Sequence, residues 1–214
     1  MDSEWMISAD SHVIEPPDLW DRVDADYRDR APRLVADEDA DWIYVDDARL
    51  VSFTVGAQVG KRFKGLEHLK SSGRWQDVPP AAYQPRAYLE ENETDGVWGA
   101  VIYPTVGFLL YTRVTDSGLL SALARAFNDW LAEFCAHDPG RLKGIAILNL
   151  DDIEAGVAEL KRARALGLAG ALIPMDEPDY GDPDLDSLWA AAQDLEEKVE
   201  LGGAAEADRR HTRG

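Results

Sequence analysis

An acid and an imidazole near the start of the sequence are the residues best placed to do chemistry. A short apolar run at residues 6–9 leads into Asp10 and His12, and prolines at 16 and 17 then stop the chain from continuing as a strand or entering a helix interior. Side chains two residues apart leave the same face of an extended chain, so a carboxylate oxygen and an imidazole nitrogen can converge here on one cation. Asp10 and His12 are therefore candidate metal ligands.

The same two residues also have a purely structural interpretation. Two ligands alone do not hold a catalytic metal, which takes three or four. An aspartate can instead turn the chain by bonding to a backbone amide, with the histidine partly buried beside it. Both interpretations stay open at the level of spacing alone.

Composition disfavours nucleic acid and membrane surfaces as partners. The chain of 214 residues carries 41 acidic and 22 basic side chains, a net charge of −19, and 45% of its residues are hydrophobic. That charge repels phosphate backbones and anionic lipid. The longest apolar stretch, residues 97–111, is interrupted by glycine and proline and is shorter than the roughly 20 residues of a membrane helix.

The single cysteine and the acidic first residues indicate the cellular location of the protein. Cys135 is the only cysteine, so no internal disulfide can form. Residues 1–4 are acidic where a signal peptide is basic. We therefore expect a cytoplasmic protein in which Cys135 is a buried, small apolar residue.

The elements that must position Asp10 and His12 follow a βα repeat. Strands are predicted to end near residue 9 and to span 97–103, 142–148 and 170–174, each followed by a helical pattern. Four such units in a right-handed parallel arrangement predict an α/β fold, part of a TIM-type (β/α) barrel, which closes with eight units.

Helix starts are predicted from capping residues. Asp116 or Ser117 precedes an apolar stripe at helical spacing and is predicted to cap that helix. Asp151 and Glu154 stand three apart, as in a capping box, and are predicted to start the next helix. Glu15 is expected to cap the segment that follows it rather than to bind a metal.

An insertion lobe is predicted at residues 36–83. Residues 42–45 and 50–53 are rich in β-branched and aromatic side chains and flank two aspartates, a pattern typical of a hairpin, whereas residues 24–41 are charged and loop-like. Residues 56–80 form the one basic neighbourhood of this acidic chain. They are either a solvated loop or a loop that steers anions over a pocket.

The barrel domain is predicted to comprise residues 1–196, with a disordered tail at 197–214. Residues 198–201 could nevertheless start a fifth strand.

Three residues are candidate substrate contacts. Thr105 and Asn149 lie just beyond predicted strand ends, at the rim where barrel enzymes bind substrate. Arg74 belongs to the basic neighbourhood. Local turn structure is the alternative interpretation for each rim position, including Tyr103 and Met175.

Five segments of the sequence carry a family resemblance: residues 7–16, 101–104, 127–131, 141–144 and 182–190. In this order, from about residue 6 to residue 195, they resemble the amidohydrolase family. The resemblance is to its amidohydrolase-related branch, which includes amino-carboxymuconate-semialdehyde decarboxylase and resorcylate decarboxylases. It implies a metal-dependent hydrolase or carboxy-lyase.

The resemblance implies a role for the first two candidate ligands. In that family the first strand ends in His-x-His, or in an acidic residue-x-His, and binds a divalent metal there. Asp10 and His12 fall on those two positions. Zn²⁺ is the implied metal, and Mn²⁺ would suit the oxygen ligand as well. The implied reaction is hydrolysis or non-oxidative decarboxylation of a small carboxylic acid, assisted by a water whose pKa the ion lowers.

The resemblance also implies missing parts. The family takes further site histidines from strands five and six and an aspartate from strand eight, whereas the repeats here stop near residue 195. The chain is therefore expected to be the N-terminal half of such an enzyme, truncated or frame-shifted, with low or no activity alone. The alternative is a non-catalytic half barrel that self-associates through exposed sheet edges, and a homo-oligomer is expected.

Overall fold

The computed structural model describes residues 5–54, 56–58, 73–174 and 179–195, and the backbone of 198–201. Met175, most of the basic neighbourhood and residues 202–214 of the predicted tail lie outside these residues. Eight strands are described: β1 (Met6–His12), β2 (Arg33–Ala36), β3 (Asp41–Val45), β4 (Ala48–Ser52), β5 (Val97–Tyr103), β6 (Leu142–Ile147), β7 (Gly170–Ile173) and β8 (Lys198–Leu201). Five α-helices are described: α1 (Pro85–Thr94), α2 (Val106–Leu110), α3 (Ser117–Cys135), α4 (Ile153–Ala165) and α5 (Asp186–Asp194).

The main sheet is parallel and its strands follow one another in chain order. The order is β1-β5-β6-β7-β8, and each neighbouring pair is parallel. Because the order never reverses, there is no switch point of the kind found in doubly wound sheets, and right-handed crossovers all place their helices on one side. This is the arrangement of part of a (β/α) barrel, and the predicted fold class is confirmed.

The fifth strand lies beyond the predicted end of the domain. β8 pairs with β7 from Gly170 opposite Lys198 to Ile173 opposite Leu201. The sheet therefore extends past residue 196, and the boundary moves to at least Leu201. The predicted disorder of 197–214 does not hold for these four strand residues.

The insertion lobe is a three-stranded antiparallel sheet, β2-β3-β4. The hairpin turns at Asp46, whose φ of 50° places it in the left-handed region that aspartate tolerates. The prediction of a loop over residues 24–41 is wrong for residues 33–36, which pair with β3. Most β2 side chains are exposed, so no buried apolar alternation marked the strand in the sequence.

Helix caps are confirmed in one case and corrected in another. Asp116 caps α3, because its side chain accepts a hydrogen bond from the Leu119 amide. For α4 the cap is Asp152, which accepts from the Ala155 amide at 3.0 Å, and not Asp151. A cap must directly precede the first helical residue, and here that residue is Ile153.

The core lies where α3 packs on the sheet. Phe127 and Leu131 of α3 are fully buried. Gly144 of β6 allows the close approach of this helix, because a Cβ there would lie 2.8 Å from Leu131. Cys135 is buried and unpaired, and burial raises the pKa of its thiol to about 12. Across the described residues, no helix is both long enough and apolar enough to cross a membrane.

Candidate metal site

Asp10 and His12 converge at the carboxyl end of β1. The Asp10 Oδ1 and His12 Nε2 atoms are 3.5 Å apart. Ser8 pairs with Ala100, and Ser11 pairs with Ile102. Between these pairs β1 has two residues where β5 has one, so β1 contains a bulge, and Asp10 lies inside it. Bulges beside sites re-aim side chains, which accounts for the convergence although the strand is not regular.

A backbone carbonyl fixes the orientation of the His12 ring. The Nδ1 atom of His12 lies 2.8 Å from the carbonyl oxygen of Pro104, the residue that follows β5. A carbonyl can only accept, so Nδ1 carries a hydrogen. In the neutral ring, Nε2 is then the nitrogen with the lone pair, and it lies on the side of Asp10. Histidines that bind metals typically donate their other N–H to a carbonyl or carboxylate in this way.

The pair is open to the surroundings and fits two positions of a metal's coordination shell. The side chains of His12 and Asp10 are 52% and 84% exposed. An imidazole nitrogen and a carboxylate oxygen are both ligands of first-row divalent metals. In the part of the chain that the structure describes, no cluster of three or more His, Cys, Asp or Glu side chains could hold an ion. The described residues therefore supply two of the three or four ligands that a site requires.

Glu15 is not available as a third ligand. Its side chain is fully buried, and its two oxygens accept from the amides of Thr105, Val106 and Gly107 at 2.8–3.0 Å. These amides open the short helix α2, so the expectation that Glu15 caps the segment following it is corrected. Burial raises the pKa of the Glu15 carboxyl, and the bonds from these amides oppose the rise.

Thr105 is the one candidate substrate contact that lies beside the pair. It follows Pro104 directly, is half-buried, and its amide binds Glu15. The structure therefore brings Asp10, His12 and Thr105 to the same end of β1 and β5.

Asn149 has its amide group engaged inside the protein. Its Nδ2 donates within 2.8–3.0 Å of the Ser117 carbonyl, the Ser117 hydroxyl and the Ser121 hydroxyl. Its Oδ1 accepts from the amide of Asp151. The side chain thus fastens the loop after β6 to α3, and these contacts favour the local structural interpretation over substrate contact.

Arg74 is engaged in the insertion lobe. Its guanidinium donates to the carbonyl oxygens of Asp37 and Glu38 and to the Asp41 carboxylate, each at 2.8–2.9 Å. All of these partners belong to the lobe. The contacts favour a role in holding the β2–β3 turn rather than in steering anions.

Sequence reasoning did not predict two polar residues that shape the strand ends. The Tyr111 hydroxyl lies 2.7 Å from the Leu148 carbonyl and 3.0 Å from the Leu172 carbonyl, and so joins the ends of β6 and β7. Asn128 bonds to the backbone of Ile147. A polar residue beside the apolar stripe of α3 was the available signal for Asn128.

A groove in the described residues lies apart from the metal-site candidates. It has a volume of about 540 Å³, and most of its lining residues are aromatic residues or prolines: Pro16, Pro17, Trp75, Tyr83 and Trp130, with Asp18, Leu34 and Gln84. None of the predicted site residues lines it.

Sequence comparison links this fold to known enzymes. The family model described as Amidohydrolase matches residues 110–211. A gamma-resorcylate decarboxylase from Rhodococcus jostii (strain RHA1) is 48% identical over 52 residues, which are 24% of this chain and 16% of that protein. A gamma-resorcylate decarboxylase from Polaromonas sp. (strain JS666) is 41% identical over 61 residues, 28% of this chain and 19% of that protein.

Solved structures share the fold over nearly the whole chain. An amidohydrolase from Mycobacterium avium subsp. paratuberculosis K-10 superposes with a TM-score of 0.72 at 20% identity, over 92% of this chain and 57% of that one. A 5-carboxyvanillate decarboxylase from Novosphingobium aromaticivorans, solved with bound manganese, gives 0.57 at 17% identity, over 94% and 51%. The chain thus spans little more than half the length of these proteins. The resemblance to the amidohydrolase family is confirmed.

Proposed function

We propose that this amidohydrolase-like chain carries part of the divalent-metal site of an enzyme, with Asp10 and His12 as two of the ligands. The observation that carries the proposal is the 3.5 Å approach of Asp10 Oδ1 to His12 Nε2. The bond from His12 Nδ1 to the Pro104 carbonyl supports it, because that bond leaves Nε2 free to bind a cation.

The donor atoms suit the metals considered from the sequence. Carboxylate oxygen favours Mn²⁺, and imidazole nitrogen suits Zn²⁺ as well. The manganese bound in the 5-carboxyvanillate decarboxylase supports a divalent metal, and Mn²⁺ is therefore the first ion to test. When bound, such an ion supplies Lewis-acid chemistry and lowers the pKa of water.

The chain's own residues hold and expose the site. The Pro104 carbonyl keeps a proton at His12 Nδ1. The tilted Tyr103 ring, with its centroid 5.9 Å from that of His12, forms one side of the proposed site. Thr105 lies at the same rim and is the residue we propose for substrate contact. The exposed Asp10 carboxylate leaves the approach to the pair open.

We propose a small carboxylic acid as the substrate, with non-oxidative decarboxylation or hydrolysis as the reaction. Support comes from the two gamma-resorcylate decarboxylases that match parts of the chain. The net charge of −19 disfavours a nucleic-acid substrate. Because the described residues supply two ligands, we expect low or no decarboxylation of gamma-resorcylate by this chain alone. A cytoplasmic location stays a prediction.

Metal titration tests the proposed site. Metal-free protein is titrated with Mn²⁺, and free Mn²⁺ is measured by electron paramagnetic resonance. Wild type is compared with Asp10→Ala and His12→Ala, and the exposed Asp151→Ala and His137→Ala variants are the matched controls. We expect one ion per chain in wild type and both controls, and only nonspecific binding in the two site variants. Equal binding by all five proteins, or none by wild type, would contradict the proposal.

The open sheet edge favours a second candidate, self-association of a non-catalytic half barrel. β1 is an edge strand of the described sheet, and its Met6 and Ile7 residues are 56% and 68% exposed. Trp98 is also exposed, and it lies on β5 between the residues that pair with Met6 and Ile7. Unpaired edges with apolar side chains are sites of association.

Light scattering after size exclusion separates this candidate from a monomer. The chain mass is 23.7 kDa, and we expect a multiple of it for wild type. Ile7→Lys places a charge on the edge and should shift the mass toward one chain. Leu166→Lys, at an exposed apolar residue directly after α4, should leave the mass unchanged. A wild-type mass of a single chain would rule out self-association.

A further inference from the structure

The buried carboxylate of Glu15 and the ring of His12 hold opposite ends of one peptide unit. His12 Nδ1 donates to the carbonyl oxygen of Pro104, at 2.8 Å. The amide nitrogen of the same peptide unit, that of Thr105, donates to Glu15 Oε1 at 3.0 Å. Because the oxygen and the N–H of a planar trans peptide point in opposite directions, neither bond can be kept if the peptide rotates.

Glu15 is itself rigidly held. Its other bonds are to the amides of Val106 and Gly107, at 2.9 and 2.8 Å, and its side chain is fully buried. A buried carboxylate is costly unless its oxygens are hydrogen-bonded, and three backbone donors meet that need. The Thr105 side chain makes no capping bond, so Glu15 supplies the cap of α2.

One backbone bond also joins the two loops, because Val13 N donates to Tyr103 O at 3.4 Å. A second backbone bond, from Ile14 N to Ala82 O at 2.8 Å, fastens the first loop to the insertion lobe. Residues 12–15 are therefore fastened along residues 103–107 from one end to the other. Moving the Pro104 carbonyl would require releasing the Glu15 carboxylate from its buried donors.

We infer that Glu15 is a positioning residue for His12, acting through the Pro104–Thr105 peptide. A carboxylate that accepts from the N–H of a peptide polarises that peptide and strengthens its carbonyl as an acceptor. The carbonyl in turn holds the His12 hydrogen on Nδ1 and directs Nε2 toward Asp10. The importance of this tautomer for metal binding rests on the proposed function, whereas the tautomer itself does not.

Imidazole NMR of the full chain tests the inference. Long-range ¹H–¹⁵N spectra report which ring nitrogen carries the hydrogen, and the His12 signal among the four histidines is assigned by its loss in His12→Gln. Glu15→Gln keeps the shape but replaces one acceptor oxygen with a donor. Asp41→Asn is the matched control, because Asp41 is buried and accepts from the Trp75 amide and Arg74 in the lobe.

We expect the Nδ1–H tautomer in wild type and Asp41→Asn, and a shift of population to Nε2–H in Glu15→Gln. Mn²⁺ affinity should fall about 10–100-fold in Glu15→Gln alone, the range found when groups that orient a ligand are removed. If wild type binds no Mn²⁺, the proposed function fails, but the spectra still test the role of Glu15.

Two results would overturn the inference: a dominant Nε2–H tautomer in wild type, or an unchanged His12 spectrum in Glu15→Gln. Should Glu15→Gln fail to fold, Glu15→Asp is measured in its place; its shorter side chain keeps the charge but loses reach to the Thr105 amide, and an unchanged His12 spectrum would again overturn the inference.

Discussion

The Asn128 side chain of α3 completes the hydrogen bonding of Ile147 at the end of β6. Its Oδ1 accepts from the Ile147 amide at 2.8 Å, and its Nδ2 donates to the Ile147 carbonyl at 3.0 Å. Nδ2 also donates to the Glu159 carboxylate at 2.7 Å, so one amide links a helix, a strand end and the next helix.

Asn128→Ala should therefore destabilise the protein by about 1–3 kcal/mol, the usual cost of leaving buried polar groups unpaired. Urea unfolding followed by tryptophan fluorescence measures the change. The exposed Gln193→Ala on α5 serves as the control and should stay close to wild type. Equal midpoints for Asn128→Ala and wild type would show that water replaces the amide at no cost.

Arg30 makes stability depend on pH in the acid range. Its guanidinium binds both oxygens of Asp46 and one oxygen of Asp116, at 2.6–3.0 Å, and lowers the pKa of each carboxyl. Since both folded pKa values lie below the unfolded value of about 3.9, the stabilisation is present above that pH and is lost as pH falls through the folded values.

The corresponding variant, Arg30→Gln, should be destabilised most near pH 7, and its difference from wild type should shrink as pH falls below about 4. Urea midpoints at pH 7, 5 and 3 give the comparison. Arg86→Gln breaks the exposed pair with Glu90 and should have little effect at any pH. A difference for Arg30→Gln that is constant with pH would contradict the assignment.

Cys135 should be unreactive while the protein is folded. Burial raises the pKa of its thiol to about 12, so the thiolate is scarce at neutral pH and the sulfur is covered. A disulfide reagent such as DTNB should react slowly with native protein and rapidly in urea. Glu133→Cys places a thiol on the exposed face of the same helix and should react at once. Rapid native labelling of Cys135 would show that this part of α3 opens.

Gly144→Ala should destabilise the contact between β6 and α3. The added methyl would lie 2.8 Å from side-chain atoms of Leu131 and Leu168, and overpacking of this kind costs about 1–3 kcal/mol. Gly140→Ala meets its nearest neighbour, Asp138, at 3.3 Å in an exposed turn and should be close to neutral. Thermal melts of both variants beside wild type provide the measurement.

The elements that could be predicted from the sequence are those whose apolar pattern marks a buried face. β5 was predicted with the bounds it has, because a run of apolar and β-branched residues is bracketed by Gly96 and Pro104. The apolar stripe of α3 and its Asp116 cap likewise fixed that helix. In contrast, β2 is held by its backbone pairing with β3 while its side chains face out, and no local pattern reveals such a strand.

The candidate site was predictable only in its local part. The spacing of Asp10 and His12 predicted their convergence, which a bulge then achieves. The partners that orient them could not be predicted, because Pro104 and Thr105 lie some ninety residues away and act through backbone atoms that any residue type has. The sequence correctly predicted that Asn149 follows a strand end and that Arg74 belongs to a loop. It did not predict the direction of their side chains, which determines whether they contact the protein or a substrate.

The bonds that join residues 12–15 to residues 103–107 span 90–92 positions of the chain. During synthesis, the Asp10–His12 geometry therefore cannot form until Gly107 has emerged from the ribosome, long after Asp10 and His12 themselves. The whole insertion lobe is a loop that must close beforehand, at a cost in chain entropy. A nascent chain shorter than this would carry both donor atoms but no ordered pair to offer a metal.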